Sequence, residues 1–269
     1  MSHPLELYHW EPNSYFLKPL IALEEKAAPF TSHWFDPTRF GQFAPEFPRN
    51  TESDLHLERE GPVLVHGDAI ISSSFFMLEY IAEALPGAEL RPGDAFAHYR
   101  ARASAQFLGG LGADVTLLGC IKYLGPGLQS QDPQTLKARL GDIEPLERRN
   151  AWLGLLDGTY DQKLVGSLQE RLRFPLGRLE QALSSCAWLA GSAYSIADID
   201  AFALLRSLPT LAPDLVSERA TPRIVDFLDR MHERPAVKKA LALSRRASPM
   251  RRSYRGQSRR AGADVPFSR

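Results

Sequence analysis

Cysteine is scarce in this chain, charge of either sign is not in excess, and long apolar runs are absent. Only two cysteines, Cys120 and Cys186, occur in 269 residues. Thiols so far apart make neither a disulfide framework nor a zinc site, so buried, reduced thiols are expected. Lys and Arg total 32, as do Asp and Glu. The formal net charge is therefore zero, and no global basic field argues for nucleic acid. Nowhere do eighteen or more apolar residues run together, so no membrane-spanning helix is expected. Met1 to Trp10 has neither the basic flank nor the apolar core of a secretory leader, and a cytoplasmic location is the default expectation. A hydrophobic fraction of 44% and a charged fraction of 24% are ordinary for a globular chain, and the length suits two modest domains or one large one. No repeat or heptad appears.

What is present is well patterned. Leu5 to Trp10 reads as a short strand, Pro12-Asn13-Ser14 as a turn, and Leu17, Leu20, Ile21 and Leu23 carry helical spacing. Pro19 constrains that helix, placing its cap at Tyr15 or later and leaving Ser14 on the approaching loop. Phe30 to Phe35 is a second strand, and Asp36 to Glu60 a long polar, proline-rich excursion. Gly61 to Ile81 is the most informative stretch. Pro62 heads the apolar run Val63–Val65, His66-Gly67-Asp68 is turn material, and Ala69 to Ile71 returns. Ser72, Ser73 and Ser74 then offer cap hydroxyls to a helix predicted to begin at Phe75. The order β-α-β…β-β-α suits a small mixed sheet with a parallel first pair and an antiparallel hairpin. A proline backbone beside a helix N-terminus is a good place to hold an anionic peptide.

Leu85 to Asp94, dense in proline and glycine, is the clearest linker, and strand patterns end there. Helices are predicted over Ala95–Leu118, Leu136–Leu156, Lys163–Leu183 (kinked or broken near Pro175), Pro222–Glu233, and from there to Leu243, with a loop over Gly125–Pro133. Ser195 and Asp198 stand three apart ahead of an apolar run, with Tyr194 and Ile199 at the positions of a hydrophobic staple. That spacing explains Asp198 as a cap, without recourse to acid catalysis. The domains read as 1–86, a linker 87–94, a helical domain 95–244 and a basic tail 245–269, the tail expected to be solvated and partly disordered.

Two independent segments, Gly61–Ile81 and the G-x-x-x-[ST]-x-A-D run from Gly191 to Asp198, resemble those of the glutathione S-transferases. The resemblance spans roughly Leu5 to Leu243. Within the family the chain is similar to bacterial β-etherases, the lignin-degrading members that cleave β-aryl ethers with glutathione. Shared pieces are L-x-L-Y at Leu5–Tyr8, L-K-P-L at Leu17–Leu20, F-D-P at Phe35–Pro37, L-R-P-x-D-x-F at Leu90–Phe96, F-L-D-R at Phe227–Arg230 and R-P-A at Arg234–Ala236. The resemblance implies an α+β, thioredoxin-like N-terminal domain followed by an all-α C-terminal domain. It implies glutathione as co-substrate, an aromatic ether as second substrate, and a homodimer or a heterodimer with a related transferase. No metal, nucleic acid or membrane enters.

It also implies site residues. Gly61 and Pro62, the latter cis in the family, would pair with the glutathione cysteine, and Ser73 and Ser74 would hold the γ-glutamyl group. A hydroxyl or amide at the start of the first helix would stabilise the thiolate, and the candidates are Asn13, Ser14 and Tyr15. The sequence departs from the family in three places. Tyr15-Phe16 stands where the β-etherases have Asn-Ser, Gly61 stands for a hydrophobic residue, and Ser73 for Glu or Gln. Ser14 reads equally as a turn hydroxyl and Tyr15 as a pocket wall. His9, Trp10, His66, Trp152 and Tyr160 are candidates for the border of the aromatic site, and equally for core or surface. Two functions follow: a working β-etherase in which Ser14 or Tyr15 activates the thiol, or a catalytically degenerate subunit that partners an active transferase.

Overall fold

The structure is a computed structural model that describes residues 3–41, 44, 46–48, 61–91, 93–141, 143 and 146–245. Most of the expected excursion and nearly all of the basic tail lie outside the described residues.

Four strands form one sheet: β1 (Leu5–His9), β2 (Thr31–Trp34), β3 (Val63–His66) and β4 (Ala69–Ile71), in the order β2-β1-β3-β4. β1 and β2 run parallel, with His9 opposite Trp34. β3 is antiparallel to both β1 and β4, with Tyr8 opposite Val63 and Leu64 opposite Ile71. The β3–β4 turn needs Gly67 at φ 62°, where an added Cβ would stand 2.9 Å from the His3 ring. Leu5, Leu7 and His9 alternate inward along β1, the period-2 signature of a strand with one buried face. Against that face pack α1 (Ser14–Glu25) and α2 (Ser74–Ala84), which bury Leu17, Leu20, Ile21, Leu23, Met77, Leu78 and Ile81.

The rest is helical: α3 (Ala95–Tyr123), α4 (Gly125–Gln129), α5 (Pro133–Leu140), α6 (Leu146–Leu156), α7 (Gln162–Ser185), α8 (Ile196–Leu205), α9 (Leu208–Leu211), α10 (Pro222–Glu233) and α11 (Pro235–Ala242). Every residue of α8 is buried, as expected for a helix apolar on all sides. It packs against α3, α1, α10 and α2 and so joins the two domains. Ion pairs cross the same seam. Lys18 of α1 meets Asp200 of α8 at 2.6 Å with both side chains buried, and Arg234 holds Glu25 through two hydrogen bonds of 2.6 and 3.0 Å. α3 is apolar enough, by length and composition alone, to resemble a membrane span. Its Ala101, Leu108, Leu111, Val115 and Leu118 are instead buried in the protein core.

Several sequence expectations change. α1 starts at Ser14 with Asn13 as its cap residue, so Pro19 lies inside the helix, not in its first turn. Leu17, Leu20, Ile21 and Leu23 are fully buried around it, and that packing outweighs the lost backbone bond. α2 begins at Ser74, one residue before the predicted start. The 125–133 loop contains α4, and the single helix predicted over 136–156 is two, α5 and α6. α7 continues through Pro175, because the stripe Leu168, Leu172, Leu176, Leu179 and Leu183 is buried on both sides of it.

Candidate functional site

Sheet topology gathers the candidate residues. β1 exits towards α1 at the same end where β3 enters from Gly61-Pro62 and β4 leaves for α2, as the Tyr8–Val63 and Leu64–Ile71 registers require. Asn13, Ser14, Gly61, Pro62, Ser73 and Ser74 therefore all sit at one end of the sheet.

The α1 end is strained and partly committed. The Asn13 amide N–H donates to the Glu11 carbonyl at 2.7 Å, and its own carbonyl accepts from Phe16 and Leu17. Its carboxamide makes no cap bond and has no partner among the described residues. Ser14 sits at φ 39°, in the left-handed region that non-glycine residues avoid. Its hydroxyl shares a 3.3 Å hydrogen bond with Thr116 of α3. Tyr15 turns into the domain seam, where Lys18 Nζ lies 4.8 Å from its ring centre and its hydroxyl stands 3.0 Å from where a Cβ on Gly112 would be. Phe16 is buried edge-on against Trp10 and Phe35. Of the three candidate donors, Ser14 and Tyr15 face other protein groups and Asn13 is uncommitted.

The α2 end is likewise left open. Ser73, at φ 64° and ψ 110°, is the cap residue, yet its side chain makes no cap bond. The cap bond expected of Ser73 is not made, and the first turn holds no acidic residue. The positive end of the α2 dipole thus points to this end of the sheet without a Ser73 side-chain acceptor. A non-glycine residue in so sparse a region is stable only where its surroundings over-determine it, and such strain collects at ligand clamps. Ser74, the first helical residue, is mostly buried beside it. Pro62 is buried at the head of β3. The Gly61–Pro62 bond is trans, since no cis peptide occurs among the described residues, and this corrects the cis bond that the resemblance implies. A Cβ on Gly61 would touch nothing within 4 Å, so open space borders this backbone.

The bordering candidates divide. His9 is 1% exposed, donates from Nδ1 to the Trp10 carbonyl at 2.5 Å, and accepts at Nε2 from Ser32 at 2.7 Å. Burial lowers its pKa, and both ring nitrogens are occupied, so it is a neutral brace under the loop. His66 lies at the opposite end of β3, bonded to the Tyr80 hydroxyl at 2.8 Å, and is no part of this site. Trp10 and Trp152 are buried in a second core with Phe16, Phe35, Phe40, Phe47 and Val63, against which Tyr160 packs. Tyr160 is held there, its hydroxyl donating to the Ala151 carbonyl at 3.2 Å while its ring fills the space beside Gly154.

One feature escaped the sequence reading. A cavity of about 650 Å³ opens between Asp36–Phe40, which includes a short 3-10 helix at Pro37–Arg39, and the end of α3 with α4 and α5. Phe40, Tyr123, Leu124 and Leu136 supply its apolar lining, and Arg39 and Arg139 border it. The unpatterned Asp36–Glu60 excursion was the one sequence signal pointing there. No cluster of His, Cys, Asp or Glu fit to hold a metal ion occurs among the described residues.

Comparison with known proteins agrees with the fold. The sequence model described as "Glutathione S-transferase, N-terminal domain" matches residues 3–83, and that of the C-terminal domain matches residues 141–235. The chain is 26% identical to Protein LigF of Sphingobium sp. (strain NBRC 103272 / SYK-6) over 260 residues, covering 92% of this chain and 97% of LigF. The crystal structure of β-etherase LigF from that strain superposes with a TM-score of 0.80 at 26% identity, over 89% of this chain and 99% of LigF. A Burkholderia graminis glutathione transferase with two glutathione molecules bound per subunit superposes at 0.63 with 25% identity, over 91% of this chain and 90% of its own. Glutathione transferase F7 of Populus trichocarpa, 21% identical, shares the fold with a TM-score of 0.67 over 88% of this chain and 98% of its own. With both domain models matched in order, and a thioredoxin-like sheet leading into a helical domain, the chain belongs to the glutathione S-transferase family.

Proposed function

We propose that this chain is a glutathione-dependent transferase that cleaves β-aryl ethers of lignin-derived aromatics. The observation that carries the reading is the pair of uncapped helix starts at one end of the sheet, with Ser14 at φ 39° and Ser73 at φ 64°. The γ-glutamyl carboxylate binds at the start of α2, accepting from its backbone N–H groups and from Ser73 and Ser74. The backbone of Gly61 and Pro62 lies along the cysteine portion. Asn13 donates its side-chain N–H to the glutathione sulfur, and the α1 dipole adds to that stabilisation. Each unit by which the thiol pKa falls corresponds to about 1.4 kcal/mol of thiolate stabilisation. The thiolate attacks the carbon next to the substrate ketone, a C–S bond forms as the C–O bond breaks, and the aryl group leaves as phenolate. The ring lies in the cavity between Phe40 and α3–α5. Similarity to a β-etherase over nearly the whole chain supports this choice within the family.

A second reading, a degenerate subunit working beside a catalytic transferase, is favoured by specific residues. Tyr15 and Phe16 are spent on packing, and Ser73 carries no charge for the γ-glutamyl ammonium. Exposed Phe76 on α2 and Phe96 and Tyr99 on α3 suit a dimer with either a second copy or such a partner. One experiment separates the readings. Glutathione binding and glutathione-dependent ether cleavage are measured for the purified chain alone and then mixed with a related transferase. Turnover by the chain alone that is lost in Asn13→Ala establishes the first reading. Turnover only in the mixture, indifferent to Asn13, establishes the second.

A further inference from the structure

The loop carrying Asn13 is fastened by the opposite end of the chain. Glu11, two residues before Asn13, is 6% exposed. Its carboxylate accepts from the Trp34 indole N–H at 3.2 Å, the Ser244 hydroxyl at 2.5 Å and the Arg245 backbone N–H at 3.3 Å. The Arg245 guanidinium lies 4.7 Å from the centre of the Trp34 ring. The Glu11 carbonyl in turn accepts the Asn13 N–H at 2.7 Å, so whatever fixes Glu11 fixes the cap residue of α1. Arg206, at the end of α8, donates to the Pro12 carbonyl between them at 3.3 Å. His9 beneath the loop is held through the Trp10 carbonyl.

A buried carboxylate persists only where donors replace its water. Ser244 and Arg245 follow directly on α11, more than two hundred residues from the loop they reach. The Ser244 N–H closes the end of α11 on the Leu241 carbonyl, while the Ser244 hydroxyl and the Arg245 N–H reach Glu11 and the Arg245 guanidinium reaches Trp34.

We propose that Ser244 and Arg245 form a strap that positions the β1–α1 loop, with Glu11 as the positioning residue through which the strap sets the Asn13 donor. Its catalytic part rests on the proposed glutathione chemistry, and its structural part does not. The strap acts on the thiolate-stabilising donor and leaves the α2 end, where glutathione is gripped, untouched. Losing it therefore lowers kcat and spares the KM for glutathione.

The test compares the full chain, a chain ending at Leu243, a chain ending at Arg245, and the full-length variants Glu11→Gln and Ser244→Ala. Ether cleavage gives kcat and KM, amide exchange of Asn13 reads the loop, and thermal unfolding reads the fold. In the chain ending at Leu243 and in Glu11→Gln, kcat falls about tenfold while the glutathione KM stays within about twofold, since a displaced donor costs rate before binding. Asn13 exchanges about tenfold faster in both, and the midpoint of unfolding moves by less than about 4 °C. The chain ending at Arg245 matches the full chain. Combining Glu11→Gln with the Leu243 ending adds no further loss, as for two parts of one network. Unchanged kcat and exchange in the Leu243 chain, equal losses in the Arg245 chain, or additive losses each overturn the strap. Absence of turnover in the full chain sinks the proposed chemistry, and Asn13 exchange still decides whether the strap holds the loop. If the Leu243 chain does not fold, the exchange and kcat of Ser244→Ala and Glu11→Gln decide it.

Discussion

The helix start in the middle of the C-terminal domain and the two in the N-terminal domain are built in opposite ways. At α8 the protein satisfies its own backbone. Ser195 and Asp198 form a complete capping box, both are 0% exposed, and Asp198 also accepts the Leu189 N–H at 2.9 Å. At α1 and α2 the cap side chains make no such bonds, and Ser14 and Ser73 take positive φ. The first arrangement closes a helix end to everything but the fold. The second leaves the cap side chains without helix bonds and holds Ser14 and Ser73 at positive φ, at a cost in strain.

That contrast breaks most visibly at Asn13. Asn13→Ala is expected to lower kcat/KM for glutathione-dependent ether cleavage about a hundredfold, equivalent to roughly 2.7 kcal/mol of transition-state stabilisation. Ser14→Ala and Tyr15→Phe, whose hydroxyls face α3, are expected to stay within about threefold by the same assay. At the closed end the loss is in stability. Asp198→Ala strips an acceptor from the Leu189 and Ser195 N–H groups, and urea unfolding should show a loss of about 2 kcal/mol with no specific effect on turnover.

A smaller effect of opposite sign is expected at the open end. Ser73→Gly relieves the φ 64° conformation and should raise unfolding free energy by about 1 kcal/mol while weakening glutathione binding in calorimetry. The last test is a slope. Burial raises the Asp198 pKa from 3.8 to about 6, so the fold binds a proton that the unfolded chain has released across that interval. Its contribution to stability is present below pH 3.8 and lost as pH rises through about 6. Asp198→Asn should abolish that component when the unfolding free energy is compared between pH 4 and 6.5. His9, its pKa lowered by burial, acts the other way, favouring the fold at higher pH.

Much of this was legible in order along the chain. The alternation of Leu5, Leu7 and His9, the Gly67 turn and the Ser195–Asp198 box are local patterns, and each is found where its spacing puts it. Local rules fail where distant contacts outweigh them. Pro19 and Pro175 were expected to limit their helices, but leucines buried on both sides keep each helix continuous. His66 belongs to the same informative stretch as Pro62, yet three residues of β-strand carry it to the far end of the sheet. The cavity beside Phe40 comes from segments about a hundred residues apart, and no window of sequence holds both walls.

The sequence by itself determined the four strands, most of the helices and the family resemblance, because periodicity, caps and turns act over a few residues. Only the tertiary structure decided which of three adjacent residues is a free donor. By sequence Asn13, Ser14 and Tyr15 are all candidates, with Ser14 and Tyr15 the favoured pair. Thr116 and Gly112, a hundred residues away on α3, face Ser14 and Tyr15 and leave Asn13 alone. The fastening of that loop by Ser244 and Arg245 is likewise a contact between chain ends, set by how α11 packs on α1.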